Sequence, residues 1–122
     1  MTIARFGSGG PWEERFGYSR TVVAGAWVLS AGCTSTVDGA VAHVGDPAAQ
    51  TREAFQLALR GLAQAGAGVE HVVRTRMYVV HPEHAEAIGR VHGELFGRVK
   101  PVATMVMVAA LIDPDHLVEV EV

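Results

Sequence analysis

Apolar residues recur at helical spacing in one long stretch of the chain, and the stretch has boundary residues typical of a helix. The spacing is i, i+3, i+4, i+7, and it is made by Phe55, Ala58, Leu59 and Leu62. Asp46 and Pro47 suit the start of a helix, because Asp accepts hydrogen bonds from the free amides of the first turn and Pro tolerates the first position. We therefore predict a helix that begins at Asp46-Pro47 and ends at Gly66.

A second stretch carries an apolar stripe at i, i+4, i+7, i+11. Its members are His84, Ile88, Val91 and Leu95. Pro82 precedes the stripe and Gly97 follows it, and both are residue types common at helix boundaries. The pattern predicts a second helix that starts at Pro82.

Alternation of side chains between residues 72 and 80 predicts a β-strand with two different faces. One face holds Val73, Thr75, Met77 and Val79, and the other holds Arg74, Arg76, Tyr78 and Val80. Further strands are predicted at residues 19–24, 27–31, about 102–112 and 117–122, with a hairpin turn at Gly25-Ala26. The Gly-rich residues 6–11 indicate a turn, and residues 34–45 lack periodicity and indicate a loop.

These elements predict an α+β fold in a single domain that spans residues 1–122. Their order is a strand-rich start, a helix, a strand, a helix and two strands. This order favours one mixed six-stranded sheet with both helices packed on one face. The other face carries Val, Met and Tyr without a further layer, which is typical of self-association. We therefore expect an oligomer whose interfaces involve the sheets.

Composition and charge narrow the classes of function. Apolar residues make up 49% of the chain and charged residues 19%, as in an ordinary soluble globular domain. No apolar run reaches the ~18 residues needed to cross a bilayer, and the N-terminus lacks the pattern of a signal peptide. We therefore expect a cytoplasmic protein without a membrane partner. The net charge is −3 and the Lys and Arg residues are scattered, which argues against a nucleic-acid partner.

The residues that bind metals are sparse. Cys33 is the single cysteine, so the chain forms no internal disulfide and no Cys-paired zinc site. His81 and His84 are three residues apart, but no third ligand lies at suitable spacing beside them. Two solvated His at a helix start are therefore favoured over a metal site. We expect neither a metal nor an organic cofactor.

Several short segments match those of a known protein family in order and spacing. They are Tyr18, Ala31-Gly32, Asp46 with Gln50-Thr51, Val72–Thr75, Lys100–Ala103 and Val118–Glu121. On these segments the chain resembles the RidA/YjgF family, also called the reactive intermediate deaminase family. The resemblance covers nearly the whole chain. It implies a chorismate-mutase-like fold and a homotrimer with three clefts between subunits.

The resemblance also implies an activity and site residues. Well-studied members of the family hydrolyse reactive enamines and imines derived from amino acids, such as 2-aminoacrylate. In them a Glu on the last strand orients a water, and a Tyr and backbone amides line the pocket. These catalytic roles fall on Glu119 and Tyr18 of this chain, and the pocket amides fall near Gly32 and Met105. Cys33 follows Gly32 directly and would belong to the same substrate-binding segment.

The family's substrate-binding Arg, by contrast, corresponds to Ala103. An Arg fork matches a carboxylate with two parallel hydrogen bonds, whereas Ala offers no donor. Loss of such a partner typically costs ~2–5 kcal/mol of binding free energy. The chain thus resembles a branch of the family that lacks this Arg. Arg74 and Arg76 leave two alternatives. Both lie on a solvated or interface face, or one of them replaces the missing Arg as the group that binds an anion. Arg76 is included among the candidate binding residues.

Three further residues have expected positions. Glu121 follows the same alternation as Glu119 and is expected to face solvent. His92 is the one base that we can suggest as a partner for a nucleophilic Cys33, but a core or interface position is favoured. Trp12 is expected to pack, or else to form a lip over the cleft of a neighbouring subunit.

The resemblance and the residues together predict a protein that binds a small metabolite in an intersubunit cleft. If it is an enzyme, it hydrolyses or tautomerises an enamine or imine. One alternative is a non-catalytic small-molecule sensor or binding module. A second alternative is a protein-interaction or chaperone-like role, or the ribonuclease activity sometimes ascribed to the family.

Overall fold

The computed structural model describes residues 1–122 and contains three α-helices and eight strands. In chain order they are β1 (Ile3–Phe6), α1 (Pro11–Phe16), β2 (Thr21–Ala24), β3 (Trp27–Ser30), β4 (Thr36–Val37), β5 (Ala40–Val41), α2 (Pro47–Gln64), β6 (Arg74–Val79), α3 (Ala85–Phe96), β7 (Val102–Met107) and β8 (Val118–Glu121). The predicted α+β class is confirmed. None of the three helices combines the length and the apolar sequence that crossing a membrane requires.

The six longer strands form two three-stranded sheets. In the first, β1, β2 and β3 are antiparallel; in the second, β6 lies between β7, which is parallel to it, and β8, which is antiparallel. The two sheets meet where the Cys33 N–H donates to the Val120 carbonyl at 2.7 Å and the Val120 N–H donates to the Cys33 carbonyl at 2.9 Å. The single six-stranded sheet expected from the sequence is therefore two three-stranded sheets with a short backbone junction, and β1 was not among the strands that the sequence located. This junction lies beside the site described below.

Helices α2 and α3 cover one face of the second sheet. The buried apolar residues beneath them include Phe55, Ala58, Leu62, Ile88, Phe96, Met77, Val79, Val118 and Val120. The two faces predicted for residues 72–80 are present, since Thr75, Met77 and Val79 are buried whereas Arg74 and Arg76 are exposed. Burial of this apolar surface is the main force that fixes which face of each strand points inward.

The predicted boundary of the long helix is confirmed in detail. The Asp46 side chain accepts a hydrogen bond from the Ala49 N–H at 3.0 Å, and Pro47 occupies the first position. Gly66, just beyond the helix, adopts φ of +82°. The second helix differs from its prediction at its start: Pro82–His84 forms a single 3₁₀ turn before α3 begins.

Two short elements were not expected from the sequence: α1 follows the turn predicted at residues 6–11, and the β4–β5 pair lies within the loop predicted at residues 34–45. Helix α1 has only six residues, so it shows no periodicity in the sequence, and Gly17 ends it with φ of +74°. Strands β4 and β5 pair across Asp38 and Gly39, which both have positive φ. Two consecutive residues with positive φ are the signature of a tight hairpin turn.

Candidate functional site

The side chain of Glu119 lies directly against the backbone of Gly32. A Cβ atom added at position 32 would lie only 1.9 Å from Oε2 of Glu119. Any side chain at position 32 would therefore displace this carboxylate. The junction between Cys33 and Val120 holds the two segments together, and the glycine allows their close approach.

The Glu119 carboxyl lies in a half-buried position and accepts no hydrogen bond from another residue of the chain. Burial raises the pKa of Glu119, the nearby Glu121 raises it further, and Arg20 opposes both effects. A carboxyl of this kind can exchange a proton at a higher pH than an ordinary Glu can. This property suits a general acid or base.

Glu121, two residues along β8, is not the solvent-facing side chain that the sequence suggested. It is half-buried and accepts a hydrogen bond from the Tyr78 hydroxyl, while Nη1 of Arg76 lies 4.0 Å from its Oε1. The hydrogen bond to Glu121 raises the pKa of Tyr78, and burial adds to the effect. Tyr78 on β6 is paired with Glu119 on β8, so all three side chains share one face of the sheet.

A cavity of about 320 Å³ opens at this place. Its lining residues are Gly32, Tyr78, Val108, Ala110, Leu111, Glu119 and Glu121. The two carboxylates and the phenol line one part, and the apolar segment 108–111 lines the other. A small molecule with one polar and one apolar end fits this arrangement. Arg76 lines a different and larger groove of about 790 Å³, which also borders Glu121.

Arg20 lies behind Gly32 and was not identified from the sequence. Its Nη1 donates to the Gly32 carbonyl oxygen at 2.6 Å and lies 3.5 Å from Sγ of Cys33. Its Nε lies 3.4 Å from Oε2 of Glu13, and both of these charged side chains are almost entirely buried. The arginine therefore connects helix α1 to the segment that contacts Glu119.

Glu13 fixes the N-terminal segment at the same time. It accepts hydrogen bonds from the Ser8 N–H at 2.9 Å and from the Ser8 hydroxyl. Burial disfavours its charge, but the two bonds from Ser8 and the charge of Arg20 outweigh this effect and lower the pKa of Glu13. Glu13 thus remains ionised, and Ser8, Glu13 and Arg20 form one continuous polar network.

Tyr18 approaches the site only through Arg20. The guanidinium carbon of Arg20 lies 5.7 Å from the centre of the Tyr18 ring, within the range of a cation–π contact. Tyr18 is 40% exposed and does not line the 320 Å³ cavity of its own chain. A role for its hydroxyl in the cleft remains a prediction.

Cys33 and His92 have separate partners. Cys33 is fully buried, its Sγ donates to the Ala31 carbonyl at 3.4 Å, and burial raises the pKa of the thiol. His92 hydrogen-bonds Oγ1 of Thr75 at 2.7 Å and packs against the Phe55 ring. Burial lowers the pKa of His92, which favours its neutral form in the core. Nothing in this arrangement pairs the thiol with a base.

Ala103 and Met105 lie away from Glu119 in the single chain. The register of the second sheet pairs Ala103 with Thr75 and Met105 with Met77, whereas Glu119 pairs with Tyr78. Because neighbouring pairs in a ladder alternate between faces, Ala103 and Met105 belong to the face opposite that of Glu119. One chain therefore brings together Gly32, Cys33 and Glu119 but not the predicted β7 residues.

The His pair at the start of the second helical segment forms an aromatic contact. The rings of His81 and His84 have centroids 5.3 Å apart and are nearly perpendicular. No group of three His, Cys, Asp or Glu side chains in residues 1–122 is arranged to hold a metal ion. Trp12, for its part, stacks on Phe16 with a centroid distance of 5.1 Å at an exposed surface.

Comparison with known proteins places this chain in a family. Residues 13–122 match the model of the family described as Endoribonuclease L-PSP, whose members are also named after YjgF and RidA. The chain belongs to the YjgF/RidA family. The match includes the segment that carries Glu13, Gly32 and Glu119, so the family predicted from the sequence is confirmed.

Relatives within the YjgF/RidA family extend over almost the full length. The chain is 44% identical over 120 residues to the uncharacterized protein SCO2049 of Streptomyces coelicolor. The aligned residues make up 98% of this chain and 90% of that protein. The crystal structure of Rv2704 from Mycobacterium tuberculosis, a member of the YjgF/YER057c/UK114 family, has a TM-score of 0.89 and 42% identity. That superposition covers 98% of this chain and 96% of the other.

A relative with a stated activity matches a smaller part of the chain. The 3-aminoacrylate deaminase RutC of Acinetobacter baylyi is 34% identical over 80 residues, which is 66% of this chain and 63% of that protein. The name of RutC describes it as a deaminase of 3-aminoacrylate.

Proposed function

We propose that this protein binds a small metabolite in a cleft built around Gly32 and Glu119 and hydrolyses an enamine or imine there. The observation that carries the proposal is the Glu119 carboxylate, which has no hydrogen-bond partner in the chain, a raised pKa and a position in a 320 Å³ cavity. The similarity to RutC supports the reaction class, because 3-aminoacrylate is an enamine.

In the proposed reaction Glu119 acts first as a base and then as an acid. An enamine first tautomerises to the imine, in which carbon has gained a proton and nitrogen has lost one. Glu119 takes a proton from a water while the water oxygen bonds to the imine carbon and the C=N electron pair moves to nitrogen, and Glu119 then gives that proton to the nitrogen. In the resulting carbinolamine Glu119 takes the hydroxyl proton and gives it to the nitrogen, so that the C=O bond forms as the C–N bond breaks and the nitrogen leaves as ammonia or an amine. The other product is a carbonyl compound.

The cavity favours a neutral or cationic ligand over a carboxylate. Glu119 and Glu121 both face it, and no Arg or Lys is among its lining residues. Two nearby carboxylates repel an anion, particularly in a partly buried place. In the proposed site Ala103 takes the position of the family's substrate-binding Arg, which removes the usual clamp for a substrate carboxylate. We infer that the preferred substrate lacks a free carboxylate.

The proposed assembly is a homotrimer with this cleft near the subunit interface. The support is the apolar face of the two sheets, where Trp27 and Val102 are each 61% exposed and Leu29 is 53% exposed. Large apolar side chains grouped on one exposed face are typical of surfaces that associate. In such a trimer, Met105 and Ala103 of a second subunit would complete the cleft.

The test of the function is turnover on a panel of imines and enamines with and without a carboxylate, with product ammonia or amine as the readout. We expect Glu119→Gln to lower turnover by about 10²-fold or more, because the amide cannot accept the proton. Glu86→Gln makes the same chemical change at a carboxylate that is 79% exposed on α3, and it serves as the matched control. Activity should rise with pH through the raised pKa of Glu119, above the ordinary value of 4.5.

A second readout separates the enzyme from a sensor. Ligands that bind only the folded state raise its melting temperature. A compound that stabilises the protein but is not turned over, with no compound on the panel consumed, would favour the binding module instead. Unchanged turnover in Glu119→Gln would remove Glu119 from the mechanism.

A further inference from the structure

Arg20 is held in place from both its backbone and its side chain. Its N–H donates to the Phe6 carbonyl at 2.9 Å, and its carbonyl accepts from the Ala31 N–H at 2.8 Å. Its side chain is 11% exposed, and the Glu13 carboxylate lies beside Nε. A cation fixed in this way is pre-organised and does not have to be reoriented when a ligand arrives.

The Arg20 guanidinium contacts the same peptide that Glu119 contacts. Nη1 donates to the Gly32 carbonyl at 2.6 Å, while the Glu119 carboxylate lies against the α-carbon of Gly32. Hydrogen bonds from a charged donor are shorter and stronger than neutral ones. The bond therefore fixes the orientation of the Gly32 peptide, and with it one wall of the cavity.

Arg20 is also the one cation among the charged or titratable groups that act on Glu119. The others are Glu121 on the same strand, Tyr78 on β6 and Cys33 in the junction segment. Arg76, the other cation on this face of the sheet, lies 4.0 Å from Glu121 and acts on that carboxylate and on Tyr78. Coulombic interactions are strong in such a partly buried place.

We propose that Arg20 is a positioning residue of this site, which fixes the Gly32 peptide and holds its positive charge behind the glycine that the Glu119 carboxylate contacts. The effect of Arg20 on catalysis rests on the proposed function. Its effect on the titration of Glu119 does not depend on that function. It extends the site to a residue on the far side of Gly32 and links the site to the N-terminal helix through Glu13. The exchange of protons at Glu119 is thus governed partly from outside the cavity.

The decisive experiment is a pH titration of the Glu119 carboxyl by carbon NMR, with Glu119→Gln used to assign the resonance. We expect Arg20→Gln to move the titration midpoint of Glu119 upward, because the opposing positive charge is removed. Arg20→Lys keeps the charge and should return the midpoint to the wild-type value. Arg52→Gln, which removes a guanidinium from an exposed pair with Glu94, is the matched control and should leave the midpoint unchanged.

The sign of the shift distinguishes positioning from a merely structural role. If Arg20 only held the fold together, its loss would expose Glu119 to water, and the midpoint would fall toward the ordinary value because burial is the main cause of its elevation. A downward or absent shift in Arg20→Gln therefore overturns the proposal. Should Arg20→Gln not fold, Arg20→Met, which is also neutral and has an unbranched stem, takes its place: an upward shift supports the proposal, and a downward or absent shift overturns it.

A kinetic arm separates this inference from the proposed function. If an imine is turned over, the acidic limb of its pH profile should move upward in Arg20→Gln together with the NMR midpoint, and an unmoved limb contradicts the role of Arg20 in catalysis. If no imine or enamine is turned over by the wild-type protein, the proposed function fails. The titration of Glu119 still decides whether Arg20 acts on it.

Discussion

Strand β8 has one apolar, buried face and one face that carries two half-buried carboxylates. Val118 and Val120 point under helix α2 and are fully buried, whereas Glu119 and Glu121 line the 320 Å³ cavity and are half-buried. The valines stabilise the fold through apolar burial, and the carboxylates lie where burial disfavours their charge. One four-residue strand thus combines a stabilising face with a face suited to chemistry, and mutations on the two faces should have opposite effects on stability.

The largest effect is expected on the helix-covered face. Val120→Ala removes two buried methyl groups, each worth ~0.8 kcal/mol of burial free energy, and leaves a small cavity. We therefore expect the free energy of unfolding to fall by about 2 kcal/mol. Chemical denaturation measures the change. A loss below about 0.5 kcal/mol would mean that the region repacks easily and that the contrast between the faces is weaker than the burial suggests.

A smaller effect is expected where α2 approaches the first sheet. A Cβ at Gly61 would lie 2.3 Å from Oγ1 of Thr21, whose position is fully buried. Gly61→Ala should therefore destabilise the protein by about 1 kcal/mol, because an overpacking cost of about 1–3 kcal/mol is partly offset by the better helix propensity of alanine, which is worth about 1 kcal/mol.

The matched control for this change is Gly89→Ala in α3, where nothing lies within 4 Å of the added atom. It should stabilise the protein by about 0.5–1 kcal/mol, as alanine does in an open helix interior. Equal effects of the two alanines in thermal melts would contradict the close packing at Gly61.

The smallest effect is expected on the cavity face, and its sign is opposite. The folded-state pKa of Glu119 is raised, so the unfolded chain releases this proton at a lower pH than the folded chain does. The folded state is then penalised once pH rises above the unfolded value, and the penalty is complete above the folded value. Glu119→Gln should therefore raise the melting temperature at pH 7 but leave it nearly unchanged at pH 4. A lower melting temperature at pH 7 would show that Glu119 stabilises the fold.

The sequence patterns predicted α2 and β6 well, whereas β7, expected to reach about residue 112, ends at Met107. Period-two alternation separated the two faces of β6, and Asp46 with Pro47 identified the start of α2. Helix α1 was missed because six residues contain less than two turns. The β4–β5 hairpin was missed although Asp38-Gly39 is a common turn pair, which was a signal that could have been used.

The site was predictable only in part. Gly32 and Glu119 were identified through the family resemblance, and the structure places them in contact. Arg20 could not be identified, because its role depends on Glu13 and Gly32, which come together only when α1, β2 and the junction segment are assembled. The positions of Ala103 and Met105 depend on the register between β6 and β7, which the composition of those strands does not specify.

The contact between Gly32 and Glu119 also limits which substitutions the sequence can accept at position 32 during evolution. Any residue larger than glycine at position 32 requires the carboxylate to move or the side chain at position 119 to become shorter. A larger residue at position 32 is therefore tolerated where the Glu119 carboxylate can turn aside or where position 119 has also changed. A lineage that had lost the carboxylate would be free to fill the space at position 32.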